Sequence, residues 1–185
     1  MPPESAPPAG QRILGALIAG GRSTRFGRDK AVEPLGGRAL LDHVADALRP
    51  QVSELVVVGR TWPGIAHVAD RPAPGLGPLA GLCGALHHAA EAGHAAVLSA
   101  PCDALPDLLS RFPEGGGAAD GCYLLGLWPA GLLGPLEKWL AGSGDRSMRA
   151  WIAARGLPLV RLPVTPENFN SEAALRAYAR RTGLT

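Results

Sequence analysis

Apolar positions in this chain come as short unbroken runs that alternate with helix-spaced patterns, and the alternation predicts its elements. Ile13 to Ile18, five apolar residues and one Gly, reads as a buried strand. Leu41, Val44, Ala45 and Leu48 then recur at helical spacing until Pro50 stops them. Leu55 to Val58 predicts a second strand, and Ile65 to Ala69 a weaker third that ends at Asp70. Residues 71–78 hold three prolines and cannot be regular. A helix is expected from Leu79, with Leu82, Cys83, Leu86 and Ala90 on one face. Ala95 to Ser99 predicts a fourth strand, running into Ala100-Pro101-Cys102-Asp103.

Farther on, a helix is expected over Pro106 to Arg111, a turn over 114–117 and a strand over Gly121 to Trp128. Leu132, Leu133, Leu136, Trp139 and Leu140 mark another helix, and Arg146 to Ala154 a further one. Leu157 to Leu162 reads as a late strand. A last helix starts near Ser171, placed as its N-cap, with Leu175 and Tyr178 facing in. Strands alternating with helices through the first two-thirds predict the α/β class. One Rossmann-like domain over 12–185 is expected, with a mostly parallel sheet and helices on both faces. Ligands of such sheets bind outside the carboxyl ends of the strands. That rule gathers the segment 19–30, Asp70 and Asp103 on one rim. No internal repeat and no second-domain boundary is visible.

Composition narrows the class. With 185 residues and 46% apolar content, one domain with a sizeable core is expected. A net charge of +2 is too small to suggest nucleic acid as a partner. Three cysteines, Cys83, Cys102 and Cys122, form no C-x-x-C pair, which fits a reducing compartment rather than a disulfide framework. No apolar run approaches the ~18 residues of a membrane span. Residues 1–11 open with four prolines in ten, no basic stretch and no apolar core. They read as a disordered tail and not a signal peptide, so a cytoplasmic location is expected.

The chemistry concentrates just after the first strand. Ala19-Gly20-Gly21 lets the backbone turn, and Arg22, Arg25, Arg28 and Lys30 follow with a single anion, Asp29. Glycines let backbone N–H groups approach an anion closely, and the cations supply charge where a polyphosphate would sit. A solvated basic turn is the plain alternative. The segment is neither a P-loop, since Gly27 is followed by Arg28 and Asp29, nor a dinucleotide fingerprint, since Ala19-Gly20-Gly21 lacks its spacing. Asp103 closes the fourth strand in the context Ser99-Ala100-Pro101-Cys102-Asp103. A carboxylate there could hold a divalent ion that bridges phosphate oxygens, or simply cap a helix or turn. Lys30 could offset phosphate charge or pair with Glu33 at the surface. His87, His88 and His94 lie near Cys83 in sequence, but the spacing matches no standard zinc site, and they read as ordinary helix residues.

The run Ile18-Ala19-Gly20-Gly21-Arg22-Ser23-Thr24-Arg25-Phe26-Gly27-Arg28-Asp29-Lys30 resembles the L-A-G-G-x-S-x-R-M-G-x-D-K motif. That motif belongs to the nucleotidyltransferases that complete the molybdenum cofactor, the molybdenum cofactor guanylyltransferase family. The departures are Ile for Leu and Phe for Met. Gly75-Leu76-Gly77-Pro78-Leu79-Ala80-Gly81 is similar to the family's P-G-P-L-A-G segment, Pro101-Cys102-Asp103 to its P-x-D, and Asn168-Phe169-Asn170 to its N-V-N. The resemblance spans about residues 12 to 180.

It implies a nucleotidyltransferase fold and transfer of GMP from GTP to the phosphate of molybdopterin, with release of pyrophosphate. It implies Ile18, Ala19, Gly20, Gly21, Lys30, Asp70 and Asp103 as the nucleotide set. Arg25, Lys30 and Asp103 would be catalytic, and Asp103 the ligand of Mg²⁺. Asn168 and Asn170 become candidates for the second substrate or the metal, or caps of the last helix or its loop. Molybdoenzymes or their chaperones would be further partners. Two positions depart from the family: Gly59 where relatives often carry Asn, and Cys122 beside Tyr123 where they carry His or Gln. Cytidylyl transfer to the same cofactor is the nearest alternative activity. A non-catalytic nucleotide-binding adaptor of the same fold is the alternative of a different class.

Overall fold

The computed structural model describes residues 12–20, 29–102, 112–113, 115–142, 144–162 and 172–183. Strand β1 (Ile13–Ile18) forms where the unbroken apolar run predicts it. Its side chains alternate between two cores, as the period of two in a strand requires. Ile13 and Leu17 face helix α1 (Leu40–Leu48) through Leu41, Val44, Ala45 and Leu48. Leu14, Ala16 and Ile18 face helix α2 (Pro78–Glu91) through Leu79, Leu82, Cys83 and Leu86. Leu14 and Leu17 are fully buried, and each such side chain is worth about 1.5–3 kcal/mol of transfer free energy. A strand covered on both faces has no polar side to show, which is why its sequence does not alternate.

The other strands and helices assemble around β1. Strand β2 (Pro34–Leu35) and strand β3 (Arg38–Ala39) form a small separate hairpin, turned by Gly36-Gly37 at positive φ. Strand β4 (Glu54–Val58) pairs with β1, and strand β5 (Ala66–Val68) with β4, both in parallel. Strand β6 (Ala96–Pro101) lies parallel on the other side of β1. Strand β7 (Gly117–Ala119), strand β8 (Cys122–Pro129) and strand β9 (Leu159–Val160) complete a seven-stranded sheet in the order β5-β4-β1-β6-β8-β7-β9. Helix α3 (Leu133–Ala141) and helix α4 (Met148–Arg155) join α2 on one face, and helix α5 (Glu172–Thr182) packs Leu175 on Leu35 and Leu40. No described helix is long and apolar enough to cross a membrane.

The chain thus travels from β1 outward to β5, then crosses back to β6. Strand order reverses between β1 and β6, which is where ligands of open α/β sheets bind. The sheet is mostly parallel, as expected: β8 alone runs antiparallel, to both β6 and β7, and β9 pairs in parallel with β7. The short strands depart from the sequence reading. Strand β7 occupies part of the expected turn at 114–117, and neither hairpin strand was expected. All three are two or three residues long and too short to carry a period of their own. The expected helix over 106–111 and the Ser171 cap lie outside the described residues.

At the opposite, amino-terminal rim, Glu54 holds two imidazoles. Its carboxylate oxygens lie 2.9 Å from His88 Nε2 and 2.8 Å from His94 Nε2. His94, in the turn after α2 rather than in the helix, is buried and also 3.3 Å from Ser53 Oγ. Hydrogen bonds from His88 and then His94 hold the Glu54 carboxyl below its ordinary value of 4.5. A depressed carboxyl stabilises the fold above its unfolded value and loses that contribution as pH falls through the folded one. Thermal melts should therefore decline as pH drops below 4.5, and Glu54→Gln should flatten that decline. An identical acid limb in the variant would show that Glu54 carries none of it.

Candidate nucleotide-binding site

The carboxyl ends of β1, β4 and β6 lie level, with Ile18 opposite both Val58 and Pro101. Past β1, the Ala19 N–H donates to Val58 O at 3.0 Å, so the chain leaves the sheet in register. Gly20 follows, exposed, and its backbone lies against Gly59 and Asp70. A Cβ built on Gly20 would sit 3.1 Å from Gly59 Cα and 3.4 Å from Asp70 Oδ2. Gly59 has φ near +82°, and a Cβ there would stand 2.5 Å from Gly20 Cα. A side chain at position 59 would push the two segments apart.

Asp70 is brought in by β5 and half-buried. Burial raises its carboxyl above 3.8, while a hydrogen bond from the Gly75 N–H and the field of His67 pull it back. The segment that follows is irregular, as its prolines predict, and turns sharply into α2. Gly75 and Gly77 both take φ near +82°, Gly77 is the N-cap and Pro78 opens the helix. The Arg71 N–H donates to Ala80 O at 3.0 Å and ties this segment to the first turn of α2.

Together these elements enclose a pocket of about 140 Å³. Ile18, Gly20, Asp70, Gly75, Gly77, Pro78 and Gly81 line it together with Leu124 of β8. Its wall is mostly apolar, with one carboxylate and the α2 N-terminus. Leu124 escaped the sequence reading, because one Leu in an apolar strand carries no mark of a binding role. Its carbonyl is fixed by the buried Ser99 hydroxyl, which also accepts from Trp128 Nε1 at 2.7 Å.

Lys30 starts a turn of 3₁₀ helix, Lys30–Val32, and is partly buried. Asp29 caps that turn by accepting the Ala31 N–H at 3.1 Å. The structure brings Ile18, Gly20 and Asp70 together at the pocket, and Lys30 is not among the residues lining it. Gly21, Arg25, Asp103, Asn168 and Asn170 lie outside the described residues. Cys122 opens β8 and is buried against Phe112 and Leu125, inside the core that includes α1. Among the described residues, no three His, Cys, Asp or Glu side chains converge as a metal site. Cys83 is buried, its thiol pushed up to about 11 chiefly by desolvation, and it takes no part in the histidine cluster.

The model of the MobA-like NTP transferase domain matches residues 15–159. A molybdenum cofactor guanylyltransferase of Sinorhizobium fredii is 35% identical, covering 83% of this chain and 80% of the relative. Among solved structures, molybdopterin-guanine dinucleotide biosynthesis protein A of Archaeoglobus fulgidus superposes with a TM-score of 0.69 at 21% identity, covering 93% of this chain and all of that one. A Mycobacterium tuberculosis protein solved as a complex with manganese reaches 0.60 at 17% identity, covering 91% and 98%. The pocket at the strand-order reversal, a family model over most of the chain and a relative matched across four-fifths of its length agree: this chain belongs to the MobA-like NTP transferase family.

Proposed function

We propose that this chain transfers GMP from GTP to the phosphate of molybdopterin, forming the guanine dinucleotide cofactor and releasing pyrophosphate. The observation that carries the reading is the meeting of Gly20 and Asp70 at one pocket on the reversal point of the sheet. Relatives that align over most of the chain are named molybdenum cofactor guanylyltransferases. The transfer needs no nucleophile from the protein. An oxygen of the cofactor's phosphate attacks the α-phosphorus of GTP, the bond from that phosphorus to the bridging oxygen breaks, and pyrophosphate leaves. The protein's share is orientation and charge compensation.

In this reading the nucleoside fills the pocket. Its N–H or O–H groups donate to Asp70, whose partly desolvated carboxylate gains from any donor that reaches it. Backbone N–H groups of Gly20 and Gly21 face the phosphates, and Lys30 and Arg25 offset their charge. Magnesium suits this chain, because that ion is commonly held by one or two carboxylates together with substrate phosphates rather than by a protein cage. Asp103 would hold it, and the bound ion would offset charge on the triphosphate. Asn168 and Asn170 are the candidates for the molybdopterin side, in the segment before α5.

Pyrophosphate release, measured with each of the four nucleoside triphosphates plus molybdopterin and Mg²⁺, tests the proposal. GTP should turn over and the others should lag far behind. Faster release with CTP would move the assignment to cytidylyl transfer. Binding without release for any triphosphate would leave a nucleotide-binding adaptor.

A further inference from the structure

Two consecutive residues at the carboxyl end of β4 grip both ends of the cation-rich segment. Gly59 lies backbone to backbone against Gly20, where that segment begins. Arg60 reaches Asp29, where it ends, and binds it with both arms of the guanidinium: Nη1 donates to Oδ1 at 2.7 Å, and Nη2 to Oδ2. Asp29 Oδ1 is also the acceptor that caps the Lys30–Val32 turn, so the group that fixes Asp29 fixes the backbone around Lys30. Arg60 is itself held. Its guanidinium lies 5.9 Å over the Trp62 ring, and Trp62 Nε1 donates to Asp42 of α1 at 2.7 Å. Gly59 is tied to β5 by its N–H to Val68 O at 3.1 Å.

An exposed ion pair contributes little to stability. This one is bidentate, its arginine side chain is only 28% exposed, and it sits on a stacked indole, so it constrains geometry more than it stabilises the fold. The charge also matters. Asp29 is an anion beside the position where a triphosphate is proposed to bind, and its guanidinium partner cancels the repulsion it would exert. The lowered carboxyl of Asp29, due first to Arg60, agrees with an ion pair that stays charged.

We infer that Arg60 is a positioning residue for the nucleotide. By holding and neutralising Asp29, it presents the adjoining Lys30 to the triphosphate. The inference rests on the reading of Lys30 as a phosphate contact. Nothing in the sequence marked Arg60, because its partner stands 31 positions away.

Four proteins test it: wild type, Arg60→Ala, Asp29→Asn and the double variant, with Lys30→Ala alongside. Asn can still cap the 3₁₀ turn but cannot hold the ion pair. Calorimetry with GTP and Mg²⁺ should show Arg60→Ala weakened by about tenfold, with the double variant no weaker than Arg60→Ala alone. The KM for GTP should rise in step, while the KM for molybdopterin and the melting temperature hold. Amide exchange at Ala31 and Val32 should speed up in Arg60→Ala. Losses that multiply in the double variant would mean that Arg60 touches the nucleotide itself, and would overturn the positioning role. Wild-type affinity in Arg60→Ala, with Lys30→Ala weakened, would overturn the clamp and leave the Lys30 reading standing. Wild-type affinity in Lys30→Ala would instead overturn that reading.

Discussion

Asp103→Asn should keep the fold and a part of GTP binding but lose most guanylyl transfer, on the order of a thousandfold. Residue 103 comes two positions after β6, and β6 ends level with β1 at the point where strand order reverses. A carboxylate on that rim would repel a triphosphate directly. With a divalent cation between them the sign is corrected, and the bound ion can stabilise charge that develops in transfer. Asparagine keeps the size and loses the charge, so it tests the electrostatic role and not the packing. The loss should match the loss on removing Mg²⁺ with a chelator, and the two should not multiply, since both remove one interaction. Pyrophosphate release and calorimetry with GTP separate the two parts of the effect. Normal turnover by Asp103→Asn, or wild-type turnover under complete chelation, would return Asp103 to a capping role.

The central frame was legible because its apolar positions form either an unbroken run or a helical spacing. The run Ile13 to Ile18 and the four apolar positions of α1 appear where hydrophobic spacing puts them. The carboxyl-rim rule then joined Gly20 to Asp70, about fifty residues apart in sequence, and the structure brings them into contact. What stayed hidden depends on partners and not on pattern. The hairpin β2–β3 consists of two-residue strands that exist through each other. Strand β7 lacks a β-branched residue and is held between β8 and β9. Leu124 and Arg60 acquire their roles from where β8 begins and β4 ends, and no local residue pattern encodes that. Gly59 stood out in the sequence only as a position where the resembled family often carries Asn. The close approach of Gly20 shows what its missing side chain makes room for.

Gly84→Ala should destabilise the protein and weaken GTP binding together, although alanine is the better helix former. Gly84 lies in the buried middle of α2, where alanine would gain about 1 kcal/mol in propensity. Against that gain stands a clash. A Cβ on Gly84 would fall 2.1 Å from Ala69 O and 3.6 Å from Asp70 Cα. The obstacle is main chain, so no rotamer change relieves it, and either α2 or the segment carrying Asp70 must move. Overpacking of this kind costs about 1–3 kcal/mol, and more where backbone cannot yield. The clash therefore outweighs the propensity, and a net loss of about 1–2 kcal/mol lowers the melting temperature by roughly 2–8 °C. The displaced element carries Asp70 or the pocket's helical wall, so GTP affinity should fall with stability. Gly134→Ala provides the contrast: it also lies in a helix, α3, but with nothing within 4 Å of the added carbon, and its melting temperature should hold or rise. Thermal melts and calorimetry on both variants decide the matter. A Gly84→Ala protein that melts higher than wild type and binds GTP as tightly would show that α2 can shift without disturbing Asp70, and the close approach of helix and strand end would then have no part in shaping the site.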